Sequence, residues 1–290
     1  MKQRATLFDW LNAVLMVFIM LVCFYPFYYM LVYSLSDPQL ARMGVSLLPR
    51  GFTLENYRKV LTLSNILSAA GVSILRTGAG TALTVLCCSF FAYLVTKPMY
   101  GRKLIYRMLV LTMYVNGGLI PTYLVMRLYH LNNNFLIYIL PTALSAYNVI
   151  LIKTFMEQLP ASLEESAILD GASPVVRWWR ILMPLSKPIL ATITVFAAVN
   201  QWNAWFDAHI YMTDSSKWPL QYILYRYLTE AQQAAAMLEK DLSGDLQTVE
   251  ITPAAVRMTV TAVITIPILM VYPFMQRYFV KGIMLGAVKG

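Results

Sequence analysis

Charge is what this chain has least of: only 13% of its 290 residues are Asp, Glu, Lys or Arg, against 59% that are hydrophobic. Ordinary globular domains carry about 25% charged residues, so a soluble one- or two-domain protein is excluded and the chain belongs in a bilayer. Histidine is nearly absent, with His130 and His209 standing alone at helix ends. The three cysteines, Cys23, Cys87 and Cys88, fall inside apolar stretches with no metal-ligand spacing, so they read as packing residues and carry no information about redox compartment. No G-x-x-x-x-G-K-[ST] phosphate loop and no H-E-x-x-H occurs, which leaves this chain without enzymatic machinery. No internal repeat is visible, which weakens a secondary transporter built on repeats. A basic nucleic-acid module is also missing, although the formal charge is +9.

What is present is a series of apolar windows. Six stretches of about 19 residues or more are free of charge or nearly so, long enough to cross a hydrocarbon core of about 30 Å at 1.5 Å per residue. They run from Trp10 to Leu35, Thr77 to Thr96, Met108 to Met126, Leu131 to Ile152, Pro188 to Phe206 and Met258 to Gln276. The first is too long for a secretory h-region and has no Ala-x-Ala site after it. The expected fold is therefore all-α: a polytopic membrane protein with six transmembrane helices, forming one transmembrane domain over 1–290. Its outer loops are expected at about 36–66 and 210–257. The second of these holds Asp214, Glu230, Glu239, Asp241, Asp245 and Glu250, an acidic face open to another protein.

Basic residues set the orientation. Short connections carrying Lys97, Arg102, Lys103, Lys153, Arg177, Arg180 and Lys187 fall on the same side as both termini, which places both termini in the cytoplasm. Arg76 and Arg127 fall on the outer side in this scheme.

One polar interval, Pro160 to Pro188, organises the rest. Ser162 with Glu165 three residues on has the pattern of a capping box, so a short helix is expected to start at Ser162 and stop at Gly171 in a left-handed turn. Ser173 followed by Pro174 begins a second helix that carries Trp178 and Trp179. Helices this short are marginal alone, so something else must hold them.

Glu165-Ser166-Ala167, then Gly171 three residues on, then Ile181, Met183 and Pro184, resemble the EAA loop of ABC importer permeases, with Ser166 and Met183 replacing the usual Ala and Leu. The likeness extends to Gly51 through Tyr57, Gly117 through Tyr123, Trp202 through Asp207, and the tail Val280-Lys281-Gly282 with Val288-Lys289-Gly290. The chain thus resembles carbohydrate importer permeases of the maltose-permease class, in their oligosaccharide branch, and the resemblance implies the MetI-like permease fold. It also implies that Glu164, Glu165, Ala167, Asp170, Gly171, Ala172 and Pro174 couple to a cytoplasmic ATPase present in two copies. A second permease subunit and an extracytoplasmic sugar-binding protein are the other implied partners. This chain then binds no cofactor, and ATP with Mg sits on the partner ATPase. The alternatives are a standalone channel or secondary transporter, or an ABC importer for a solute other than sugar.

Polar groups inside the membrane gather on the fifth window. Asn200, Asn203 and Asp207 recur at i, i+3 and i+7, which on one continuous helix would align two amides and a carboxylate. Groups of this kind are costly in lipid unless they are paired or line a wet cavity. Two readings stand: interhelical glue, or a sugar corridor completed by Trp202, Trp205, Tyr114 and Tyr123. Asn116-Gly117-Gly118 and Pro121 are expected to break the third helix, leaving backbone groups that only protein or water can satisfy.

The charge asymmetry generates a direct test. A cysteine introduced at Gly101 should react with a membrane-impermeant thiol reagent only after the membrane is opened, and one at Ser215 should react in intact cells. The opposite pattern would reject the orientation.

Overall fold

Thr6 and Asp9 start the first helix by exchanging hydrogen bonds. The Thr6 hydroxyl accepts from the Asp9 amide at 3.3 Å, and the Asp9 carboxylate accepts from the Thr6 amide at 2.7 Å. The computed structural model describes residues 6–45, 47–62, 66–229, 252, 254–267 and 269–270; helices dominate, and no strand occurs among these residues. The chain divides into two compact units, Met1–Ile66 with Leu224–Ile266, and Leu67–Ile223 with Pro267–Gly290.

In the first unit, α1 (Leu7–Ser34) is about 42 Å long and matches the first predicted window. None of its most apolar 18-residue stretch is buried. After Leu35 the chain turns through α2 (Pro38–Ala41), capped by Asp37 and started by Pro38, and reaches α3 (Glu55–Thr62). The Phe52-to-Tyr57 motif is a clasp on the end of α1. Ser36 and Phe52 form an antiparallel bridge, and the buried Asn56 amide donates to the carbonyls of Ser34 (3.0 Å) and Ser36 (2.8 Å). The Tyr57 and Ser34 hydroxyls pair at 2.8 Å. These carbonyls lie just where α1 can no longer satisfy its own backbone, which is why an amide donor is needed there. Farther along, Tyr33, Ala41 and Ala255 close a small apolar cluster with the helix Ala254–Pro267.

The second unit is built on α4 (Ile66–Thr96), a 31-residue helix that begins well before the predicted Thr77 and takes Arg76 into its interior. The third window is two helices, α5 (Arg102–Leu111) and α6 (Leu119–Leu128). The expected break is present: Gly118 has φ +82°, and the Asn116 side chain accepts from the Gly118 amide at 2.9 Å. The fourth window is also interrupted. A 3-10 turn over Phe135–Tyr138 precedes α7 (Ala146–Met156), with Pro141 between them. Buried Cys88, Tyr93, Val149, Ile152, Leu182 and Ile193 form the core that joins α4, α7 and the fifth window.

That fifth window is α11 (Lys187–Asn203), preceded by α8 (Ser162–Leu169), α9 (Pro174–Val176), a π-helical turn over Arg177–Leu182 and α10 (Met183–Leu185). Two residues later α12 (Phe206–Tyr211) follows. Beyond it, Asp214 caps a 3-10 turn, and the hydroxyl and amide of Ser216 hold its carboxyl below the usual carboxylate range. Of the predicted acidic face only Asp214 is described; Glu230 to Glu250 and the Lys-Gly tail lie outside the described residues, as does the end of the sixth window. Among the described residues two helices, α1 and α4, are long and apolar enough to cross a membrane, or three if the bent pair Pro174–Leu185 and Lys187–Asn203 counts as one. The windows are shorter as helices than as apolar runs because glycine, asparagine and proline interrupt them.

Asn56 holds two buried carbonyls with one amide, so Asn56→Ala leaves both unmet, at a cost of about 1–3 kcal/mol. Thermal unfolding of the detergent-purified chain should shift down for Asn56→Ala and much less for Tyr57→Phe. Equal shifts would show that the clasp does not rest on the amide.

Candidate functional site

The hairpin from α8 to α10 has the turn chemistry that its sequence requires, with one correction. Ser162 does not cap α8, and no capping box with Glu165 forms. Ala161, placed after Pro160, is already helical (φ −59°, ψ −31°), so Ser162 sits one position inside the helix and its carbonyl receives the Ser166 hydroxyl at 2.9 Å. At the other end the expected stop is seen. Gly171 has φ +77°, its amide donates to the Ile168 carbonyl, and the Ala172 amide donates to that of Ala167. These two bonds form a Schellman motif. Ser173 then caps α9 by accepting from the Val176 amide at 3.4 Å, with Pro174 as its first residue.

Two adjacent carboxylates in α8 point differently. Glu165 is exposed and makes no side-chain bond among the described residues, and Asp170 is exposed beside it. Glu164 is turned inward with a side chain only 14% exposed, bonded to Lys97, to Arg177 at 3.2 Å and to the Tyr93 hydroxyl at 3.3 Å. Ala167 is buried, while Leu169 and Trp179 are left exposed on the hairpin. Trp178 meets Phe90 edge-on at 5.0 Å, which seats the π-helical turn on α4. The hairpin and α11 meet at an 86° bend.

Farther along α11 lies a cavity of about 300 Å³. Thr84 of α4, Ser145 and Asn148 at the start of α7, and Asn200 and Gln201 of α11 supply its polar wall; Tyr147 and Phe196 supply aromatic surface. None of the lining residues is acidic or basic. Asn148 and Asn200 have no side-chain hydrogen bond among the described residues, whereas Gln201 is fully committed. Its amide donates to the Tyr138 carbonyl (3.1 Å) and the Thr142 hydroxyl (2.7 Å), and its oxygen accepts from Arg76. Gln201 lies so close to Gly80 that a Cβ there would come within 2.5 Å of it.

Arg76, with a side chain 1% exposed, closes this end of the site. Its guanidinium donates to Gln201, to the Ala204 carbonyl at 3.1 Å and to both oxygens of Asp207 at 3.2 and 2.6 Å, and it lies 4.3 Å from the centre of the Tyr138 ring. The expected common face of Asn200, Asn203 and Asp207 does not exist. Asn203 ends α11, Ala204 and Trp205 interrupt it, and Asp207 belongs to α12, drawn away by Arg76. Of the predicted corridor residues, Asn200 lines the cavity. Asn203 is exposed and Trp202 and Trp205 are half-buried; Tyr123 stacks on Tyr211 at 5.7 Å, and Tyr114 and Asn116 are exposed at the α5–α6 break. Sequence reasoning missed Thr84, Ser145, Asn148 and Gln201 as neighbours of Asn200. Asn148 carried the same signal as Asn200, an amide within an apolar window.

Comparison with known proteins agrees with this geometry. No family model matches the chain. Protein LplC of Bacillus subtilis (strain 168) is 38% identical over 291 residues, covering 99% of this chain and 97% of that one. The polygalacturonan/rhamnogalacturonan transport system permease protein YtcP of the same strain is 36% identical over the full length of both. Among solved structures, a chain of a bacterial ABC transporter involved in the import of the acidic polysaccharide alginate superposes with a TM-score of 0.84 at 29% identity, covering 96% of this chain and all of that one. With an exposed hairpin of the EAA pattern joined to apolar helices, and relatives this similar from end to end, the chain belongs to the family of carbohydrate ABC-importer permeases.

Proposed function

We propose that this chain is one half of the transmembrane pathway of an oligosaccharide importer, with the MetI-like six-helix arrangement, both termini in the cytoplasm, and alternating access driven from outside the chain. Two copies of an ATPase, which hold ATP and Mg, seat the hairpin 160–188 from the cytoplasm; a second permease completes the pathway, and an extracytoplasmic binding protein delivers the sugar. The observation that carries this reading is the double use of α11. It is entered through an 86° bend from the exposed hairpin, and its far half lines the polar cavity. A displacement of the hairpin therefore has a short mechanical route to groups that can touch solute.

The chemistry of the cavity favours sugar. Uncommitted amides at Asn148 and Asn200 offer both donors and acceptors, and Tyr147 and Phe196 offer ring faces, the pairing that polyols use best. Without an acidic or basic side chain on its wall, the cavity suits hydroxyl groups better than a carboxylate. Asn203, Trp202, Trp205, Tyr114, Tyr123 and Asn116 remain assigned to the remainder of the pathway, and Asp207 acts there as the anchor of Arg76. On the hairpin, Glu165 and Asp170 are the charges free to meet the ATPase, with Ala167, Gly171, Ala172 and Pro174 setting the shape of that surface.

Two outcomes test this reading in reconstituted complex. Asn148→Leu and Asn200→Leu should each raise the half-saturating sugar concentration for uptake on the order of tenfold, because a buried hydrogen-bonding partner is lost, while the complex still assembles. Loss of assembly with no change in apparent sugar affinity would make these residues helix glue. Gly171→Val places a β-branched side chain at φ +77°, costing on the order of 1–2 kcal/mol or more. Uptake and ATPase retention should fall while membrane insertion persists; unchanged retention would remove the hairpin from the docking surface.

A further inference from the structure

Glu164 and Glu165 are neighbours in sequence with opposite surroundings. Glu165 is exposed, while three groups converge on Glu164: Tyr93 from α4, Lys97 one residue past its end, and Arg177 from the π-helical turn. Lys97 also lies 4.9 Å from the centre of the Tyr93 ring, so cation, phenol and carboxylate form one cluster. A carboxylate held by two cations and a hydroxyl, with its side chain 14% exposed, has no lone pair in reach of a partner protein. It binds α8 to the Lys97 end of α4.

The other end of α4 has a second anchor of the same kind. Seventeen residues before Tyr93, about 26 Å along the helix, Arg76 holds Asp207, Gln201 and the Ala204 carbonyl at the α11–α12 break. Between the two anchors, Thr84 lines the cavity and donates to the Thr142 carbonyl at 3.1 Å. A single unbroken helix therefore has a charged, buried attachment to the hairpin at one end and to the cavity wall at the other.

We propose that Glu164 is a transmission contact and not a docking contact: it fastens the hairpin to α4, and α4 carries the hairpin's displacement along its length to the Arg76 anchor and the cavity. The proposal rests on the importer reading given above and assigns the two adjacent carboxylates to different tasks. Breaking a charge-assisted hydrogen bond at this contact leaves Lys97 and Arg177 facing each other without their counter-charge, so the hairpin comes loose from α4 while its outer surface is kept.

The test compares Glu164→Gln with Glu165→Gln in the full complex with its binding protein, reading ATPase co-purification, binding-protein-stimulated hydrolysis and sugar uptake. Glu164→Gln should keep the ATPase at wild-type stoichiometry while stimulated hydrolysis and uptake fall about tenfold. Glu165→Gln should lose the ATPase itself. Tyr93→Phe and Lys97→Met remove the same contact from the α4 side and should reproduce the Glu164→Gln pattern, so the proposal stays testable if one variant fails to fold. Loss of ATPase retention in Glu164→Gln, or wild-type stimulation in all three variants, would overturn it. A wild-type complex without solute-stimulated hydrolysis would instead overturn the importer reading, and the proposal with it.

Discussion

A guanidinium taken out of water must be met on every side, and the second unit of this protein is arranged to meet Arg76. Its acceptors come from the end of α11 and the start of α12, and a ring face comes from the 3-10 turn before α7. Leaving such a charge unpaired would cost several kcal/mol, so three elements remote in sequence are obliged to converge on one point of α4. Gly80 one turn on is part of the same requirement, because only a residue without a Cβ lets Gln201 lie flat against the helix. The interruption at Ala204 and Trp205 follows. An unbroken α11 would keep the Ala204 carbonyl for its own ladder and turn Asp207 elsewhere; the break frees both for Arg76.

This ordering also separates the polar groups of α11 by what they are able to do. Gln201 spends its whole hydrogen-bonding capacity inside the protein, whereas Asn200 beside it spends none. A helix carrying adjacent amides can thus serve structure with one and solute with the other. The same division recurs at Glu164 and Glu165, where a step of one residue, about 100° around a helix, separates an inward group from an outward one.

Much of this was legible in the sequence where the cause is local. The Schellman turn at Gly171, the Ser173 cap with Pro174, and the break at Asn116 to Gly118 all depend on residues within one turn of each other, and the structure has each of them. The capping box at Ser162 was misplaced by a single position because Pro160 starts the helical turn early. What was not legible is set at a distance. Arg76 looked like an outer-side loop charge because its partner Asp207 lies 131 residues away, and nothing near either residue announces the pair. Without that pair the fifth window read as one helix with one polar face. The cavity was half legible for the same reason: Asn200 was visible as a buried amide, but its neighbours Thr84 and Asn148 come from other helices.

The π-helical turn at Arg177–Leu182 has a consequence for chain length. A wide turn holds one residue more than an α-turn of the same rise, and each residue adds about 100° of rotation. Arg177 meets Glu164 and Trp178 meets Phe90 only in the phase that this extra residue provides. A one-residue deletion here would barely shorten the connection, yet it would swing both side chains a quarter-turn or more from their partners. Surface loops ordinarily absorb insertions and deletions as slack. In this stretch length is counted as angle, and the spacing between the hairpin and α11 behaves like the thread of a screw.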